Sequence, residues 1–157
     1  MRYDYRIDEL ESLGINYHRI IADWITEKLQ KNNSTANLLV GETDLLITYL
    51  LSKAGFHLHL WGKFDEFHLA RVFVVKENSF PFNEYDTVIG LFCDEQFVRR
   101  CISAGVNFIL IPHYNAFGDK NATTTTRNLL KAAGCHFTTH RFTTAAYSRG
   151  YVAFTNI

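Results

Sequence analysis

The sequence has no excess of charge of either sign, no cysteine pair at metal-binding spacing and no apolar run long enough to cross a bilayer. Sixteen Lys and Arg balance sixteen Asp and Glu over 157 residues, so the chain offers no net field to draw nucleic acid or an anionic membrane surface. Cys93, Cys101 and Cys135 are an odd set without CxxC spacing. That argues against a disulfide framework or a structural zinc site, and for reduced thiols in a cytoplasmic protein. The opening stretch from Met1 to Leu10 lacks the apolar core of a secretory signal, and nothing approaches the roughly 20 apolar residues of a membrane span. These absences predict a soluble cytoplasmic protein without a nucleic-acid or membrane partner.

Apolar residues make up 47% of the chain, enough for the core of one domain. We expect that domain over 1–157, with 1–13 as an N-terminal extension. Three times an apolar helical pattern closes on a small residue plus glycine and runs into a strand: Ala54-Gly55-Phe56, Ala104-Gly105-Val106 and Ala133-Gly134-Cys135. Glycine just past a helix takes the left-handed conformation that turns the chain back into a sheet. The repetition reads as βαβ architecture, and ligands of open α/β sheets bind outside the carboxyl ends of the strands.

Leu13, Tyr17, Ile20, Ile21, Trp24, Ile25 and Leu29 recur at helical spacing and predict a helix over about 14 to 31. Ala36 to Val40 predicts a first buried strand stopped by Gly41, with Thr43 capping the next helix through Leu45 to Leu50. Phe56 to Trp61, Arg71 to Val75 and Thr87 to Phe92 predict three more strands, with a short crossover in Gly62 to Leu69. A helix through Phe97 to Ile102 ends at Gly105, and Val106 to Ile111 is the most apolar strand candidate, placed centrally and stopped by Pro112. The low-complexity run Thr123 to Thr126 is poor helix material, so the last helix is expected over Asn128 to Ala133 with Thr126 or a neighbour as its cap. Cys135 to Thr143 and Tyr151 to Thr155 then form an antiparallel hairpin, because they are too close for a parallel crossover. The fold class is α/β: a single Rossmann-like domain, mostly parallel, with helices on both faces and a C-terminal antiparallel hairpin.

This order of elements resembles the class I S-adenosylmethionine-dependent methyltransferase family over roughly 14–157. The closest local match is Val72 to Phe92, where Glu77, Pro81-Phe82 and Tyr85-Asp86-Thr87-Val88 stand where that family has an acidic residue facing the adenine, a proline-aromatic pair and the aromatic-Asp-x-Val opening of a fourth strand. The resemblance implies S-adenosylmethionine as cofactor, with Gly41, Trp61, Glu77 and Asn78 lining its site. The chain departs from the family at two places. The glycine-rich turn after the first strand reads Val40-Gly41-Glu42-Thr43-Asp44, and Trp61-Gly62-Lys63 supplies no acid for the ribose hydroxyls.

Asp94 and His113 follow strands and are the candidate bases for removing a proton from a methyl acceptor. Asp94 also precedes an apolar helix and reads as an N-cap; His113 reads equally as a simple loop residue. Glu42 and Asp44 are explained by the positive end of a helix dipole. His57 with His59, and His136 with His140, share strand faces, but no pair has an evident third ligand, so no metal site is assigned. Cys93 lacks an assignable basic partner and reads as a buried thiol. Tyr3, Tyr5, Phe64 and Phe67 fall on segments that need not be internal, and an exposed aromatic patch there would mark a protein partner or a second copy of the chain. Three functions compete: a methyltransferase-like protein with a divergent cofactor site, a noncatalytic interaction or scaffold subunit of the same fold, and a hydrolase or metal-dependent enzyme using Asp94, His113 and a nearby acid.

Overall fold

The computed structural model describes residues 17–31, 38–42, 45–61, 72–75, 85–142 and 150–157. In chain order these hold α1 (Tyr17–Lys31), β1 (Leu38–Glu42), α2 (Leu45–Lys53), β2 (Leu58–Trp61), β3 (Val72–Val75), β4 (Thr87–Cys93), α3 (Glu95–Ala104), β5 (Asn107–Pro112), α4 (Ala122–Ala132), β6 (Thr138–Arg141) and β7 (Val152–Thr155). The seven strands form one sheet in the order β3-β2-β1-β4-β5-β7-β6. Pairings from β3 through β5 are parallel, while β7 runs against both β5 and β6. The domain is α/β and its sheet is mixed, where the sequence alone suggests a mostly parallel one. The expected terminal hairpin is the β6–β7 pair.

Alternation along the inner strands assigns each helix to a face. Ile89 and Leu91 of β4 and Ile109 and Ile111 of β5 point one way and pack with Ile21 and Ile25 of α1 and with Ile47 and Leu51 of α2. Val88, Phe108 and Leu110 point the other way and meet Phe97, Val98 and Cys101 of α3 and Leu130 of α4. With both faces covered, β4 and β5 must be apolar nearly throughout, which is why their sequences run without polar alternation. Burying each such side chain stabilises the fold by about 1.5–3 kcal/mol. Asn156 lengthens the β5–β7 seam: its side-chain carbonyl accepts from the Phe108 amide at 2.8 Å, and the Thr155 hydroxyl donates to the Phe108 carbonyl at 2.8 Å.

Two local expectations are overturned. Gly41 does not stop β1; it pairs with Trp61 on one side and Gly90 on the other, and the strand continues to Glu42. Two flanking ladders hold the backbone extended where an isolated glycine would end a strand. Nor does the last helix wait until Asn128 with Thr126 as its cap: α4 starts at Ala122 and its cap is Asn121, whose side chain accepts from the Thr124 amide at 2.9 Å. Thr helix propensity is unfavourable by about 0.5 kcal/mol per residue. The cap and the burial of Ala122, Thr126 and Leu130 on one face outweigh it. Residues 1–13, Thr43, Asp44, the crossover through Gly62 to Leu69, and Pro81-Phe82 lie outside the described residues.

Candidate functional site at the carboxyl ends of the strands

Strand order reverses between β1 and β4. The helix after β1 lies on one face of the sheet and the helix after β4 on the other. Their divergence opens the crevice in which α/β sheets take ligands. Across it runs a row of register partners, Trp61, Gly41, Gly90 and Leu110, with side chains directed to the α3 face. Two of its four positions are glycine, so the middle of the row is bare backbone. Over Gly90 that space is filled: a β-carbon there would stand 2.6 Å from Cε1 of Phe97. The Phe97 ring also lies 6.4 Å from Trp61, and the Arg100 guanidinium sits 5.9 Å from the centre of the half-buried indole.

The end of β4 is irregular. Phe92 has φ +55°, and the register with β5 shifts between Leu91 and Cys93. Left-handed backbone costs a side-chain-bearing residue about 1–2 kcal/mol. The bulge re-aims the ring: alternation would send Phe92 towards α3, yet it packs on the α1 face, 6.3 Å from His18. Cys93 is buried, and that burial, followed by the Asp94 charge, pushes its thiol far above the usual range, so it is held neutral. Asp94 is the N-cap of α3, one carboxylate oxygen accepting from the Phe97 amide at 2.8 Å. Next to it Glu95 meets Lys120 at 2.8 Å and Arg99 at 3.6 Å. The hydrogen bond from Lys120 is the main reason its carboxyl titrates below the ordinary value.

His113 follows β5, and its amide donates to the Cys93 carbonyl at 3.0 Å, fastening the ends of β4 and β5 together. Its Nδ1 accepts from the Asn115 amide at 3.0 Å. With Nδ1 accepting, Nε2 is the ring nitrogen left to donate. Tyr114 stacks on it, ring centroids 4.6 Å apart and planes 20° apart. Tyr151, just before the antiparallel β7, brings a third ring 5.9 Å from His113.

Gly41, Trp61, Asp94 and His113 are thus gathered at one end of the sheet. Glu77 and Asn78 lie outside the described residues, as do Tyr3, Tyr5, Phe64 and Phe67. His57 and His59 do not share β2, which starts at Leu58; His57 is exposed, and His59 Nδ1 lies 3.0 Å from the Tyr85 hydroxyl. His140 stacks on Trp24 at 5.3 Å. Among the described residues no group of three His, Cys, Asp or Glu side chains could hold a metal ion, and no helix is long and apolar enough to cross a membrane. Sequence reasoning passed over Gly90, although an isolated glycine inside a strand pattern signals close approach by a neighbour. Phe92 and Tyr151 carried no local signal.

Strand order, switch point and helix placement define a methyltransferase-like α/β fold. A crystal structure of 1,6-didemethyltoxoflavin-N1-methyltransferase from Burkholderia thailandensis, with bound 1,6-didemethyltoxoflavin and S-adenosylhomocysteine, superposes on 97% of this chain and 88% of its own, with a TM-score of 0.51 and 13% sequence identity. Neither family models nor curated protein sequences match the chain.

Proposed function

We propose that the chain is an S-adenosylmethionine-binding, methyltransferase-like protein whose cofactor lies across the β1/β4 switch point. The observation that carries this is the bare backbone of Gly41 at the point of strand reversal, between Trp61 on β2 and β4 on its other side. The structural neighbour binds S-adenosylhomocysteine, the demethylated form of that cofactor. Gly41 admits a ligand to the backbone, Trp61 offers an aromatic edge for the nucleoside, and by the resemblance Glu77 faces the adenine and Asn78 lines the site. When bound, the cofactor supplies an electrophilic methyl group. Asp94 and His113 are the proposed groups at the acceptor, and each has one atom already engaged. The Asp94 oxygen that caps α3 fixes the carboxylate at the helix end. His113, with Nδ1 accepting from Asn115, holds an acceptor through Nε2–H, because taking a proton at Nδ1 would cost it that bond.

Isothermal titration with S-adenosylmethionine and S-adenosylhomocysteine, after mass spectrometry for carried-over nucleoside, tests the reading. Micromolar binding that weakens in Trp61→Ala and Glu77→Ala is the expected result. Absence of heat and of bound nucleoside overturns it in favour of a second reading, a noncatalytic interaction subunit. That reading draws on the same two engaged atoms, since both candidate bases serve local structure.

A further inference from the structure

Among the described residues, Tyr114 is the exposed large hydrophobic side chain, at 63%. It does not stand alone. His113 lies nearly parallel beneath one face of it, Tyr151 stands 6.0 Å from it, and Phe92 supports Tyr151 at 4.7 Å and His113 at 6.4 Å. The rings come from three separate segments, the ends of β4 and β5 and the approach to β7, that converge beside the switch point. Two features fix their pose. The Asn115 amide and the backbone bond to Cys93 hold His113, and the bulge at Phe92 turns that ring under the cluster at the cost of left-handed backbone. Strain at the end of a central strand, spent on aiming an aromatic ring below an exposed one, is the pattern of a prepared binding surface. A flat, rigid aromatic face selects a flat partner, because offset stacking holds two ring planes parallel and in contact, which a puckered ring cannot match.

We propose that Tyr114, stacked on His113 and braced by Phe92 and Tyr151, is the platform on which the chain binds the planar heteroaromatic ring of its small-molecule substrate. That this ring is a methyl acceptor rests on the function proposed above; the stacking itself does not.

The test is an NMR titration of the full chain with lumazine, a flat bicyclic heteroaromatic, in the presence and absence of S-adenosylhomocysteine, with caprolactam as the non-aromatic control. Lumazine should move the Tyr114 ring protons upfield by its ring current, and caprolactam should not. Tyr114→Phe should bind within about twofold of the parent and Tyr114→Ala roughly tenfold more weakly, the scale of a lost base–aromatic stack. Affinity for S-adenosylhomocysteine should be the same in all three proteins. Because Tyr114 is exposed, its replacement leaves the core intact. The proposal is overturned if lumazine leaves Tyr114 unmoved up to its solubility limit, if caprolactam moves it equally, or if Tyr114→Ala binds as tightly as the parent. Lumazine binding without any binding of S-adenosylhomocysteine would uphold the platform and remove the cofactor reading.

Discussion

Phe97 lies across Gly90, its Cε1 atom 2.6 Å from where a β-carbon would be. The helix that leaves β4 thus returns to rest on the strand's one bare position, and Trp61 closes the far side of the ring.

Gly90→Ala sets two effects against each other. Alanine in a strand gains about 0.5–1 kcal/mol over glycine, whereas forcing a methyl group against a buried ring costs about 1–3 kcal/mol. Leu110 at 3.0 Å closes the other escape, so overpacking wins. Urea denaturation should show net destabilisation, and adding Phe97→Leu should recover part of it. Additive effects in that double-mutant cycle would disprove the contact.

The N-cap can be separated from charge at Asp94. Asp94→Ala should cost about 1 kcal/mol of stability, while Asp94→Asn, which keeps an accepting oxygen, should cost little. Equal losses in thermal melts would mean that the carboxylate contributes through its charge and not through the bond to Phe97.

The same substitution should act with opposite sign at two buried threonines. Among the described residues the Thr126 hydroxyl has no hydrogen-bond partner, so Thr126→Val removes an unpaired polar group and should stabilise by about 1 kcal/mol, raising Tm by about 2–4 °C. Thr155 donates to the Phe108 carbonyl and accepts from the Ile157 amide at 3.2 Å, and Thr155→Val should lower Tm. Differential scanning calorimetry on the two variants decides it.

Burial raises the Cys101 thiol from an ordinary 9.0 to about 12, with the neighbouring Cys135 adding to the effect. A group whose folded pKa lies above its unfolded value stabilises the fold fully below the unfolded value. That contribution is then lost as pH rises towards the folded one. Stability should therefore be insensitive to this thiol below about pH 9 and fall between there and pH 12, and Cys101→Ala should flatten the decline. Iodoacetamide at pH 8 should alkylate Cys135 before Cys93 or Cys101; prior reaction of either buried thiol would contradict the packing.

What was legible in the sequence was what depends on a few neighbouring residues. Asp94 before an apolar helix gave its cap, and Gly105 its left-handed end at φ 66°. The heavy apolar content of β5 gave its place inside the sheet. What was not legible depends on partners distant in the chain. Gly41 looks like a stop until β2 and β4 are known to pair on both sides of it. Thr123 to Thr126 look like poor helix material until Asn121 caps them and Leu130 is buried. Phe92 follows an apolar strand like any other residue, and only the mismatch with β5 turns it. Of the site, Trp61, Gly41, Asp94 and His113 could be placed at strand ends by pattern alone. The aromatic stack could not, because Tyr151 joins it from the far end of the chain.

β6 has four exposed residues beside a β7 whose four are all buried, and among the described residues its aromatic hold is the stack of His140 on Trp24 and its edge contact with Phe142. The outermost strand is therefore a cover with little apolar grip on what it covers. Detaching it would leave most of the core standing while baring the backbone of an apolar strand to any passing chain, so aggregation has a route that begins well before global unfolding.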